Sequence, residues 1–131
     1  MNFDTRYLYI ILGLIVIMNL FSGSFDILGV LLTLPGVLVA ITFHEYAHAL
    51  AAYKLGDDTP KVQGRLNLNP LTHLDPIAVV LLVFTHIGWG KPVEINPNNL
   101  DRKISARAGE AIVAAAGPIM NILLAFVIAI I

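Results

Sequence analysis

His44-Glu45-Tyr46-Ala47-His48 sets two imidazoles four residues apart with a carboxylate beside the first. On a helix, residues four apart stand one above the other, so both rings can reach one metal ion while Glu45 lies next to them. The chain has no cysteine, so a metal must be held by His, Asp or Glu, and the expected ion is Zn2+. Zinc bound by two histidines and a third protein ligand keeps one position open for water, brings the pKa of that water to about 7 and polarises a substrate carbonyl. Glu45 then acts as the catalytic base, taking the proton of the attacking water and passing it to the departing amine. The outcome of that chemistry is hydrolysis of a peptide bond. The bland alternative is a chance match whose histidines are merely hydrogen-bonded at a helix end. The setting argues against it: the three ionisable groups follow 17 residues without a charge, Ile27 to Phe43. Such groups at membrane depth are costly and usually functional.

What must position these residues is a helix in lipid. Hydrophobic residues make up 57% of the 131, charged residues only 13%, and the mean hydropathy is +0.80, which leaves too few polar residues to cover a soluble domain. Eight Lys and Arg against nine Asp and Glu give a net charge of −1, and no stretch interleaves basic with aromatic residues. The lipid bilayer is therefore the expected partner, and nucleic acid is not. Four runs carry no charge: Tyr7 to Phe25, Ile27 to Phe43, Pro76 to Gly90 and Ala111 to Ile131. A membrane helix needs about 20 residues. The first and last runs are long enough, the second becomes so if its helix continues to Leu55, and the third is short enough to dip, tilt or pack inside a bundle. An alternative for the first run is a secretory signal ending at Ser22-Gly23-Ser24, against which Asp4 offsets Arg6 in the leader.

Lys54, Lys61 and Arg65 follow the second run, and Lys91, Arg102, Lys103 and Arg107 precede the fourth. The positive-inside rule puts both segments in the cytoplasm, which requires that Pro76 to Gly90 does not fully cross. A helix starting near Ile27 carries His44 about 26 Å along its axis, just within the cytoplasmic leaflet of a core about 30 Å thick. Pro35 kinks that helix or restarts it, and Ala47, Ala49, Ala51 and Ala52 keep it slim for close packing. Asp75-Pro76 reads as an N-cap followed by proline at the first helical position. Arg65 to Asn69 and Val93 to Asn96 alternate polar and apolar residues and end at Asn-Pro. They read either as two short strands that pair at the membrane surface or as irregular loops. The expected fold is an α-helical membrane protein with three or four membrane helices and a small β element beside the active site.

Several stretches resemble the small bacterial members of the site-2 protease family of intramembrane zinc metalloproteases. They are Gly64 to Pro70, His73 to Pro76, Gly88-Trp89-Gly90-Lys91-Pro92-Val93 and Ala116-Gly117-Pro118-Ile119-Met120-Asn121, in the same order after the H-E-x-x-H. The resemblance runs from about residue 35 to the end. It implies that His44 and His48 bind zinc, that Glu45 is the catalytic base, and that the substrate is a transmembrane or membrane-adjacent segment of another protein. The family draws its third ligand from an Asp-Gly motif beyond the Gly-Pro-x-x-Asn segment, and this chain contains no Asp-Gly. The expectation is a single membrane metalloprotease domain over 1–131, C-terminally incomplete, with His73 or Asp75 as possible substitute ligands. Asn121 hydrogen-bonds another helix or faces the active-site cavity, His86 is interfacial or hydrogen-bonded, and Trp89 is an interfacial anchor.

The leading reading is a multi-pass enzyme of the cell membrane that cleaves transmembrane protein substrates. A non-catalytic scaffold, a pseudoprotease that binds transmembrane segments, is the alternative favoured by the absent ligand, whereas an intact Glu45 has no purpose in it. A metal transporter is the third, disfavoured because the histidine pair has no second copy.

Overall fold

Asp4, Asp26, Asn69, Asp75 and Ser105 each turn a side-chain oxygen onto the backbone N–H of the residue two or three further on, and a helix follows each. The computed structural model describes residues 4–131. Its helices are α1 (Thr5–Phe21), α2 (Ile27–Lys54), α3 (Thr59–Val62), α4 (Pro70–His73), α5 (Pro76–Thr85) and α6 (Ala106–Ile130), with a 3-10 turn at Pro97–Asn99. α2 continues unbroken through Pro35, so the helix does not restart there. Among the described residues, two helices, α2 and α6, are long and apolar enough to cross a membrane. α1, at 17 residues, and α5, at 10, are shorter.

α2 and α6 form the main helix interface. They run antiparallel, since His48 meets Val113 and His44 meets Asn121. Small residues permit the approach: Ala47, Ala49 and Ala52 are buried on α2, and Gly109, Val113 and Gly117, four apart, are buried on α6.

The third apolar run closes on itself. Asp75 caps α5 by accepting from Ile77 N–H at 2.9 Å, and Pro76 opens the helix, as the sequence predicts. His86 ends it in the left-handed conformation, φ 59°. The chain then folds back along α5, close enough that a Cβ on Gly88 would lie 2.9 Å from Leu82 Cβ. It returns to its own starting point, where Lys91 N–H donates to His73 C=O at 2.8 Å and Leu74 bridges Gly90. The run therefore enters and leaves at one end. A ten-residue helix rises only about 15 Å, half of a hydrocarbon core.

The expected small sheet is replaced by something else. Among the described residues there is no strand, and Leu74–Gly90 is an isolated antiparallel bridge. The reason lies in the Asn-Pro pairs, which start helical turns instead of closing strands: Asn69 and Asn96 accept from the amides two residues on, and Pro70 and Pro97 take the first helical position. Asn67 bends the first stretch further, accepting from Asn69 N–H at 2.9 Å and Thr72 Oγ1 at 2.8 Å.

Candidate metal centre and catalytic cleft

The helical spacing of α2 puts the His44 and His48 rings one turn apart, with centroids 4.7 Å apart and planes at 80°. What fixes the rings comes from α6. His48 Nδ1 lies 2.6 Å from the carbonyl oxygen of Val113. A carbonyl only accepts, so Nδ1 carries the proton and Nε2 keeps its lone pair, the form a metal requires. His44 Nδ1 lies 3.1 Å from the Asn121 side-chain amide. Both Nε2 atoms are turned toward Gly117: a Cβ there would stand 2.6 Å from His44 Nε2 and nearer still to His48 Nε2. Val113, Gly117 and Asn121 are spaced four apart, so one face of α6 offers a hydrogen-bond partner, a gap and a second partner to the pair.

In donor chemistry this arrangement fits zinc. Two imidazoles are anchored through Nδ1 and present Nε2 to one region, beside the Glu45 carboxylate. Among the described residues, no group of three or more His, Cys, Asp or Glu side chains could hold a metal. His73 does not serve as a substitute ligand, because it is fully buried with Nε2 2.6 Å from Asn67 C=O and Nδ1 3.5 Å from the Arg65 guanidinium. Asp75 is occupied as the cap of α5.

Glu45, 8% exposed, stands between two cavities. One, of about 260 Å3, is lined by Glu45, His48, Pro92, Val93, Ile95, Glu110, Val113 and Ala114. The other, of about 310 Å3, is lined by His44, Glu45, Gly90, Asn121 and the Val37, Ala40 and Ile41 face of α2. Gly90 is glycine for a local reason, since a Cβ there would lie 2.8 Å from both Glu45 Oε1 and Ile41 Cγ2.

The segment between Gly90 and Asn96, in neither helix nor strand, forms one wall of the first cavity, and two buried charges pin its ends. Arg65, 5% exposed, donates to the carbonyls of Lys91 and Pro92 through separate guanidinium nitrogens. Burial works against the Arg65 charge and lowers its pKa, while the carboxylates of Glu45 and Glu94 support it. Asp57, fully buried, accepts from Thr59 Oγ1 at 2.6 Å, Thr59 N–H at 3.1 Å, Asn96 N–H at 2.6 Å and Asn99 Nδ2 at 3.2 Å. Burial alone would raise its pKa, but these hydrogen bonds outweigh it and hold the carboxyl below its ordinary value.

Sequence reasoning placed His44, Glu45 and His48 together, and the structure has them on one face of α2. The sequence shows Gly90 and Gly117 only within family-like motifs, without the close approaches they permit, and it gives no sign of the Val113 carbonyl or of Asp57. A backbone acceptor leaves no trace in residue identity. Arg65 is legible as a flanking basic residue and as the start of an alternating stretch, but not as the donor that holds the Lys91 and Pro92 carbonyls. For Asn121 both sequence readings hold, since it bonds His44 across the helix interface and also lines a cavity.

The chain is 44% identical over 91 residues to YwhC of Bacillus subtilis (strain 168), a match covering 70% of this chain and 40% of that protein. It is 32% identical over 101 residues to Rip2 of Mycolicibacterium smegmatis, covering 72% of this chain and 37% of that protein. Both relatives bear the name of a zinc metalloprotease. The chain spans about two fifths of the length of these curated relatives. No family profile matches it. No solved structure matches it either.

Proposed function

We propose that the chain is part of an intramembrane zinc endopeptidase of the site-2 protease family, which cleaves peptide bonds in or near transmembrane segments of other membrane proteins. The observation that carries this reading is the His44–Glu45–His48 face of α2, with both imidazoles anchored through Nδ1 by α6. In this reading His44 and His48 hold the zinc through Nε2, and an aspartate beyond Asn121, as the family resemblance implies, supplies a third ligand. Zinc, when bound, polarises the scissile carbonyl and acidifies the attacking water. Glu45 accepts the water proton on its carboxylate and returns it to the leaving amine. Gly90 leaves that carboxylate room, and Ile41 closes it off on one side.

A helical peptide bond is shielded, so the substrate must unwind, and unwound backbone in lipid needs partners at a cost of several kcal/mol per unsatisfied group. The Val93–Ile95 backbone, pinned at both ends and bordering the cavity of Glu45 and His48, supplies them by strand addition. A non-catalytic scaffold is the second reading, favoured by the absence of a third ligand group among the described residues.

The deciding experiment compares the full-length wild type with Glu45→Gln and His44→Ala on a membrane-tethered reporter, with zinc content measured on the same preparations. Glu45→Gln is expected to keep zinc and lose cleavage, and His44→Ala to lose both. Equal zinc in wild type and His44→Ala removes the metal assignment. Cleavage by Glu45→Gln at the wild-type rate moves water activation elsewhere, and a wild type that binds zinc but cuts nothing favours the scaffold.

A further inference from the structure

Asn121 meets His44 across the helix interface, 77 residues apart in sequence and on different helices. The amide nitrogen of Asn121 stands 3.1 Å from His44 Nδ1. Its other end, Oδ1, is buried without any hydrogen-bond partner. An amide donating to Nδ1 would force the His44 proton onto Nε2, the atom turned toward Gly117 and the neighbouring imidazole, and a protonated Nε2 cannot bind a metal. The same amide turned over presents its oxygen to Nδ1–H and leaves Nε2 with a lone pair. The turn loses no hydrogen bond, because the far end of the amide has no partner to lose.

The geometry points to Asn121 as a positioning residue: its side-chain oxygen accepts from His44 Nδ1–H, fixing the tautomer and the ring angle with which His44 meets zinc. This rests on the zinc reading above. It makes the two imidazoles equivalent, each donating through Nδ1 to an acceptor on the same face of α6, one a backbone carbonyl and the other a side chain. Such outer partners are typically worth about 10–100-fold in metal affinity.

The test is zinc affinity of the full-length protein in detergent, measured by competition with a chromophoric chelator, for wild type, Asn121→Leu and Asn121→Asp. Leucine fills the space and removes the acceptor. Aspartate keeps an acceptor and removes the donor. Zinc affinity is expected to fall about 10–100-fold in Asn121→Leu and to stay near or above wild type in Asn121→Asp. Wild-type affinity in Asn121→Leu overturns the proposal, as does an Asn121→Asp affinity as low as that of Asn121→Leu, which would make the donor or the packing the thing that matters. Should Asn121→Leu fail to fold, Asn121→Asp still decides between acceptor and donor. A wild type without zinc refutes the function proposed above and this proposal with it, whereas a zinc-binding wild type with an unaffected Asn121→Leu refutes this proposal alone.

Discussion

Gly117→Ala is a one-methyl change whose sign differs between the two forces acting on it. In the interior of a helix the substitution normally stabilises by about 1 kcal/mol, because glycine has more backbone freedom to lose. At this position the new Cβ would lie 2.6 Å from His44 Nε2 and 2.7 Å from His44 Cε1, where ordinary contact begins near 3.4 Å. The imidazole would have to retreat by roughly 0.8 Å, about four times the 0.2 Å tolerance on a zinc–ligand distance. Neither ring can swing aside freely, since each is tied through Nδ1 to the same helix. Overpacking of this kind costs about 1–3 kcal/mol, so the gain from helix propensity is cancelled or reversed. The expected result is a zinc affinity lower by at least tenfold, read by chelator competition, with a melting temperature no higher than wild type. A Gly117→Ala protein that melts higher and binds zinc as tightly as wild type would refute the reasoning, for it would mean that the imidazoles do not face α6.

Gly90→Ala brings a methyl to 2.8 Å from Glu45 Oε1 and is expected to lower cleavage of a tethered reporter by tenfold or more, about 1.4 kcal/mol, while zinc content stays at wild type. Arg65→Met leaves the Lys91 and Pro92 carbonyls without their donor, and thermal denaturation should register a loss of about 1–3 kcal/mol, with a raised KM for cleavage. Asp57 has a lowered folded pKa, so its stabilising contribution is complete above its ordinary value of 3.8 and is lost as pH falls through the folded value. An acid titration of the melting temperature should show that loss in wild type and not in Asp57→Asn, which starts about 2 kcal/mol less stable.

The shared placement of His44, Glu45 and His48 on α2 was legible because it depends only on helical spacing within five residues. The turn-back of the third run was legible too, from its shortness and from the basic residues on both sides of it. That turns would stand where a small sheet was expected was not legible, because alternation followed by Asn-Pro describes two structures equally well. A proline that cannot extend a ladder is also a good first residue of a helix, and Asn is among the best caps. The choice was made by Asp57 and Arg65, whose buried charges hold the 91–96 segment through its backbone from 26 to 39 residues away. Such pairing has no period and no motif. The Val113 carbonyl that supports His48 escaped for the same reason, since it lies 65 residues downstream, whereas Asn121 was legible as a polar residue in an apolar helix but its partner was not.

That distance along the chain bears on how the protein is made. A growing polypeptide that has reached residue 112 already carries both imidazoles and Glu45, but neither Nδ1 has its partner, because Val113 and Asn121 have yet to be added. The two imidazoles are thus set in order only when α6 has been made and has docked against α2. On the proposed reading, a chain not yet extended through α6 holds its two imidazoles without the partners that orient them for a metal.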